Sequence, residues 1–257
     1  MSELTLSPRI RRFALLSLAS ALVTGCATVQ RDKDRAEYHQ RIGTALLQQG
    51  HYPEALRELL QAEKLNSRDA SIQNNLGLAY FMRERPDLAA IHLEKAVDIN
   101  PSFSEARNNY GRVLVELGKY PQAIEQLQRV IDDLTYTDPA KANVNLGLAQ
   151  FRSGDYAKAK GSFANAIRIN RENCLAYAYY GRTLFELNEF KNAANALDNA
   201  VIICKNSKMD EPHYFSGLAY YKLGKTSNAV ARMEELVKLY PSGKYAKKAE
   251  SLLKLMK

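Results

Sequence analysis

The sequence predicts an all-α solenoid of six helical hairpins closed by one further helix, and three observations predict it. The first is composition. The chain has 257 residues, 46% of them hydrophobic and 25% charged, with no Trp and only 8 Pro. That excludes disordered, collagen-like and multi-span membrane classes, and the abundance of Ala and Leu favours helices. The second is a recurring glycine: Gly43, Gly77, Gly111, Gly147, Gly181 and Gly217 are 34, 34, 36, 34 and 36 residues apart. The third is a pair of small residues downstream of each glycine. Twelve residues on stands Ala55, Ala89, Ala123, Ala159, Ala193 or Ala229, and seven further Ala62, Ala96, Val130, Ala166, Ala200 or Leu236. Self-similarity at this period marks a repeat architecture.

Each position has a physical job. The glycine on the first helix and the first alanine on the second let two antiparallel helices approach closely. Leu59, Leu93, Leu127, Phe163, Leu197 or Met233 fills the space beside them, and the later, usually small, residue admits the next hairpin. Gly50, Gly118, Gly154 and Gly224 break the first helices, with Asn188 substituting in the fifth repeat. Asn100-Pro101 and Tyr240-Pro241 end second helices, because proline cannot continue them. The pattern resembles the 34-residue tetratricopeptide repeat. That resemblance implies a right-handed superhelical solenoid of six repeats over residues 36–242, with a Lys-rich amphipathic capping helix over 243–257. One repeat cannot bury its apolar face alone, so the stack is the folding unit.

Ahead of the repeats, Arg9, Arg11 and Arg12 precede an apolar run from Phe13 to Val23, too short to span a bilayer as a helix. A basic stretch, an apolar run and small residues before a cleavage point make a secretory signal peptide, here over residues 1–25. The run ends Leu22-Val23-Thr24-Gly25-Cys26, which resembles the lipobox of bacterial lipoproteins, in which Cys is acylated and becomes the new amino terminus. Two or more acyl chains hold a soluble domain on a membrane where one would not. The alternative is a secreted protein with an incidental Cys near its cleavage site. By the sorting rule of that family, Ala27 rather than Asp after Cys26 implies the outer membrane, periplasmic face. Residues 26–35 are read as the lipidated terminus and a polar linker.

The net charge is +8; without Arg9, Arg11, Arg12 and Glu3 the remaining chain carries 33 basic against 27 acidic residues, or +6. A basic protein in that compartment meets acidic lipid, cell wall and acidic protein surfaces, and no nucleic-acid partner is expected. The C-terminal lysines Lys244, Lys247, Lys248, Lys254 and Lys257 are read as a solvated helix face. No enzyme is expected either. His39, His51, His92 and His213 are scattered along the repeats, without metal-ligand spacing, and neither a phosphate loop nor a nucleophile elbow occurs. The expected cofactor is none.

A solenoid of this kind exposes a concave surface built from its first helices. By the repeat register, groove candidates are Asn74, Leu78, Phe81 and Met82, then Asn108, Arg112, Val115 and Glu116, then Val144, Leu148, Phe151 and Arg152, then Arg182 and Phe185, then Tyr214, Leu218 and Tyr221. Aromatic, aliphatic and Arg side chains together suit capture of a peptide or helix. The competing reading is that some of them pack against neighbouring repeats. Repeats that clamp a chaperone's C-terminal carboxylates need polar or basic groups where Gln40, Thr44 and Glu105 stand; only Asn75 fits, so that subclass is excluded.

Three Cys are too few for a cystine scaffold. Cys174 opens the fifth repeat's first helix and Cys204 ends its second, so an antiparallel hairpin brings both to one edge. An oxidising compartment favours a disulfide there, worth about 3 kcal/mol; the alternative is two buried thiols.

One stretch is more particular than the repeat. Asn108-Asn109-Tyr110-Gly111 leads the third repeat, which ends in the longer linker Asp132-Asp133-Leu134-Thr135-Tyr136-Thr137-Asp138-Pro139-Ala140; Asn145-Leu146-Gly147-Leu148 and Gly154-Asp155-Tyr156 come next. Over roughly residues 36–205 this resembles the type IV pilus biogenesis and stability lipoproteins, the pilotins that help the pilus secretin reach the outer membrane and oligomerise. Leu114-Val115-Glu116-Leu117 departs from the family, whose members often carry Leu-Cys followed by polar residues. The resemblance implies a non-catalytic tether with a protein partner, an outer-membrane secretin or another pilus component. The other reading is an envelope adaptor that recruits peptidoglycan hydrolases or proteases with the same anchor and groove.

Overall fold

The computed structural model describes residues 30–256. The predicted signal peptide and the lipidation residue Cys26 lie outside the described residues. The described residues form two compact units, one up to Phe103 and the other from Ser104. Every regular element among the described residues is helical.

The first unit contains α1 (residues 30–48), α2 (Tyr52–Leu65), α3 (Ala70–Met82) and α4 (Pro86–Ile99). Helix α1 reaches back to residue 30, so residues 30–35, expected as linker, belong to the first hairpin. Their polar side chains support the helix locally. Gln30 donates to Asp34 one turn on (2.8 Å), Arg35 lies 3.8 Å from Asp32, and Ala36 is buried in the cluster of Leu59 and Ile72. Asp69 caps α3 by accepting from the Ser71 and Ile72 amides, and Pro53 and Pro86 occupy first-turn positions where no amide donor is needed.

The second unit contains α5 (Ser104–Glu116), α6 (Tyr120–Asp132), α7 (Pro139–Arg152), α8 (Tyr156–Ile169), α9 (Cys174–Glu186), α10 (Phe190–Ile203), α11 (Glu211–Lys222), α12 (Thr226–Leu239) and α13 (Ala246–Met256). Helices α7, α8 and α9 are capped by Asp138, Asp155 and Asn173. In α13, Ala246 and Ala249 are buried, and Leu252, Leu253 and Met256 pack against the cluster that holds Phe215, Ala219, Met233 and Leu236. This is the predicted cap, starting three residues later than its expected boundary. Its entry is fixed by Tyr245, whose amide donates to Asp210 (2.7 Å) and whose ring stacks on Tyr214 at 4.6 Å.

The repeat glycines sit under the large residues sixteen positions on. A methyl group on Gly111 would lie 2.5 Å from Leu127 Cγ, and one on Gly147 2.7 Å from the Phe163 ring. No side chain fits, which explains the Gly-to-large spacing. The first-helix breaks adopt positive φ at Gly50, Gly118, Gly154, Gly224 and Asn188, as expected. The second repeat makes the same turn with Glu84, at φ 59°.

Both longer connections hold extra structure. Between α6 and α7, Asp133 accepts from Ser104 and Thr135, while the Tyr136 hydroxyl donates to Glu105 (2.8 Å) and Lys141 pairs with the same carboxylate (2.7 Å). Burial would raise the Glu105 pKa, but the Lys141 ammonium and Tyr136 hydroxyl outweigh it and hold the carboxyl below its ordinary value. Between α10 and α11, Cys204 closes α10 and the chain makes one 3₁₀ turn, Lys205–Ser207. There Cys174 and Cys204 are joined sulfur to sulfur, with their Cα atoms 5.0 Å apart.

Candidate functional site

A cleft of about 220 Å³ opens on the first helices of the second unit. Helix α5 contributes Arg112, Val115 and Glu116; α7 contributes Asn145, Leu148 and Arg152; α9 contributes Leu175 and Tyr179. Counted from each repeat glycine, most of these stand at −6, −2, +1 and +5, steps of four, three and four that form a single stripe along a helix.

That register moves the groove by one step from its expected place. The candidates at −3 turn into the stack rather than outward. Asn108 is 0% exposed and accepts from Asn145 (3.0 Å), Val144 is buried with Ala166 and Ala176, and Asn74 is buried in the first unit. Of the +4 candidates, Val115, Phe151 and Phe185 lie to the inner side as well. Val115 reaches the cleft at its floor, but Phe151 is buried between the rings of Tyr156 and Tyr179 (5.2 and 5.5 Å) and the Arg182 guanidinium (5.0 Å). Phe185 packs on Phe190 and Phe215, and Phe81 is half-buried beside the more exposed Met82. Both Leu78 and Leu218 are half-buried, Leu218 against the capping cluster. Arg182 is committed to Glu211 and lies over Phe215, Tyr214 is held by Tyr245, and Tyr221 is exposed at the end of α11. The structure therefore brings Arg112, Val115 and Leu148 together with Glu116 and Arg152, and adds Asn145, Leu175 and Tyr179. Those three were legible as the −2 and −6 positions, had the stripe been traced by steps of three and four.

The cleft is amphipathic. Val115, Leu148 and Leu175 form its apolar part, while two guanidinium groups and one carboxylate stand around them. Burial alone would lower the Arg152 pKa, but a hydrogen bond with the Tyr179 hydroxyl and the nearby Glu116 carboxylate raise it, so Arg152 is a fixed cation. The volume is below the ~300–1,000 Å³ of small-molecule sites and suits side chains of a partner segment. A roomier hollow of about 560 Å³ is lined by Val201, Ile202, His213, Leu239 and others, but it does not continue the first-helix stripe. Among the described residues no group of three or more His, Cys, Asp or Glu is placed to hold a metal. At the carboxylate-clamp positions, Asn75 donates to Thr44 (2.8 Å), Thr44 donates to the Gln40 carbonyl, and Glu105 holds Lys141 and Tyr136.

The tetratricopeptide repeat family profile matches residues 41–104, 109–173 and 144–207, and two further tetratricopeptide repeat profiles match 80–135 and 216–243. The type IV pilus assembly protein PilF of Pseudomonas aeruginosa is 28% identical over 169 residues, covering 62% of this chain and 67% of that protein. The solved structure of P. aeruginosa PilF superposes with a TM-score of 0.73 at 20% identity, over 86% of this chain and 98% of the solved chain. PilW, described as a widely conserved type IV pilus biogenesis factor, gives 0.76 at 17% identity, over 83% and 97%. At these identities the two structures speak for the fold.

Proposed function

The chain belongs to the tetratricopeptide repeat family, and from that premise we propose that it is a non-catalytic envelope scaffold that takes a segment of a partner protein into the α5–α7–α9 cleft. The observation that carries this is the stripe itself: one apolar floor, flanked by fixed charges, in register on three successive first helices. The similarity to PilF and PilW supports a partner in type IV pilus biogenesis. The specific reading is a pilotin, anchored by a lipid on Cys26 at the periplasmic face of the outer membrane, that holds a secretin subunit during delivery and oligomerisation. No described helix is long and apolar enough to cross a membrane, and in this reading attachment falls to that lipid.

The test is to crosslink the protein in its own envelope, purify it and identify what comes with it. A parallel variant, Arg112→Glu with Leu175→Asp, alters two exposed positions of the cleft. Secretin recovered with the wild-type chain, and captured at least ~10-fold less well by a variant of unchanged helicity, is the expected result. Wild-type capture by the variant would remove the cleft from the mechanism. Recovery of peptidoglycan hydrolases or proteases without a secretin would replace the pilotin reading with the adaptor reading.

A further inference from the structure

The last hairpin and the cap end in an unusual surface. Tyr245, just before α13, stacks on Tyr214 in the first turn of α11. Helix α12 runs back between them, joined to each by a short turn, so α11 and α13 leave that stack in the same direction. Eight residues of α11 rise about 12 Å and ten residues to Leu255 about 15 Å. Tyr221, Lys222 and Leu223 therefore arrive at the same end of the unit as Lys254 and Leu255, with Lys225 in the adjoining turn.

At that end three apolar side chains face water: Leu255 is 81% exposed, Tyr221 49% and Leu223 37%. Lys222, Lys225 and Lys254 are exposed among them. The sequence has no Asp or Glu between residues 212 and 233, so no carboxylate adjoins Lys222 or Lys225 along the chain, and Lys254 has one acidic neighbour on its own helix, Glu250 one turn earlier. An apolar tip ringed by flexible cations is the chemistry of an interfacial contact. Leucine and tyrosine enter the headgroup layer, and lysine stems extend along it to reach phosphates. A protein groove would need polar complements at a fixed geometry; a lipid surface needs only negative charge and depth.

We infer that this end of Ser104–Lys257 rests on an anionic lipid surface, with Leu255 and Leu223 in the headgroup layer. The contact is separate from the partner cleft and does not depend on the N-terminal anchor.

The absence of tryptophan makes a direct test. Leu255→Trp in the full chain introduces one reporter, and Leu134→Trp, at a position 97% exposed on the α6–α7 linker, introduces one elsewhere. Each is mixed with vesicles of phosphatidylcholine alone or with about one-third phosphatidylglycerol. The expected result is a blue-shifted, quencher-protected emission at 255 with phosphatidylglycerol only, and no shift at 134. Replacing Lys222, Lys225 or Lys254 by Ala in the Leu255→Trp background should weaken the response about fivefold each. Unshifted emission at 255 with phosphatidylglycerol overturns the inference, even when the chain is vesicle-bound through its N-terminus. A concentration-dependent shift without vesicles overturns it too, and assigns this end to a second copy of the chain.

Discussion

The two units use one repeat pattern but brace their hairpins differently. In the first unit the braces are polar. His39 meets Glu58 at 2.8 Å, Gln73 meets His92 at the same distance, and Glu63 gathers Gln73 and Lys95. Burial, assisted by Lys95, outweighs Glu63 and holds the His92 pKa below its ordinary value, so the ring stacked on Tyr80 is neutral at pH 7. In the second unit polar braces persist, Arg107 donating to Gln126, Ser162 to Gln150, and Ser216, Tyr220 and Arg232 to Asp198. In the fifth repeat the pair equivalent to His39 and Glu58 is Tyr177 and Ala196, and a series of rings is added to the polar braces: Phe163 and Phe151 meet Tyr179, while Phe185 meets Phe215 and Phe215 meets Tyr245. The Gly–large–Ala core is sterically fixed and the brace beside it is not. The brace is where a repeat acquires its own character.

The largest effect expected from breaking this contrast is Phe163→Ala. Phe163 is fully buried under Gly147 and stacks on Tyr179. Its loss should cost about 3–5 kcal/mol in urea unfolding, with hydrogen-exchange protection falling across α7–α9. Full retention of protection there would mean that the aromatic series is not a brace. Next comes the covalent link, which the first unit cannot form because residues 30–103 contain no Cys. Cys174→Ser with Cys204→Ser should lower the stability of the second unit by about 3 kcal/mol and leave exchange in α1–α4 unchanged. Unreduced wild-type protein should resist thiol labelling at both positions. The smallest effect lies in the first unit. Glu84→Gly relieves a left-handed backbone position and should stabilise α3–α4 by about 1 kcal/mol, read as roughly fivefold slower exchange. No change would mean that this turn opens independently of the hairpin.

What was legible in the sequence was what sterics dictates. Gly77 and Leu93 reveal their contact from spacing alone, because a side chain larger than hydrogen does not fit that gap. Glu84 was invisible because a side chain that rarely takes positive φ carries no turn signal, although Gly50 and Gly118 mark the same place in neighbouring repeats. Residues 30–35 lack apolar periodicity, so only side-chain pairs such as Gln30–Asp34 extend α1 over them. The cleft was legible as a region and misread in detail. A helix turns about 100° per residue, so taking Val144 instead of Asn145 selects the side packed with Ala166 and Ala176 rather than the one that lines the cleft. Tyr179 was missed because the fifth repeat replaces the asparagine of that position with a ring.

The two longer repeats carry their additional residues only in the linkers, after α6 and after α10. The six Gly-to-large intervals stay at sixteen throughout. Length is therefore free at the joints and forbidden inside a hairpin. A tag, a protease site or a whole small domain spliced beside Leu134 would lengthen the chain without changing the number of hairpins it stacks. The same insertion within α7 would break the count.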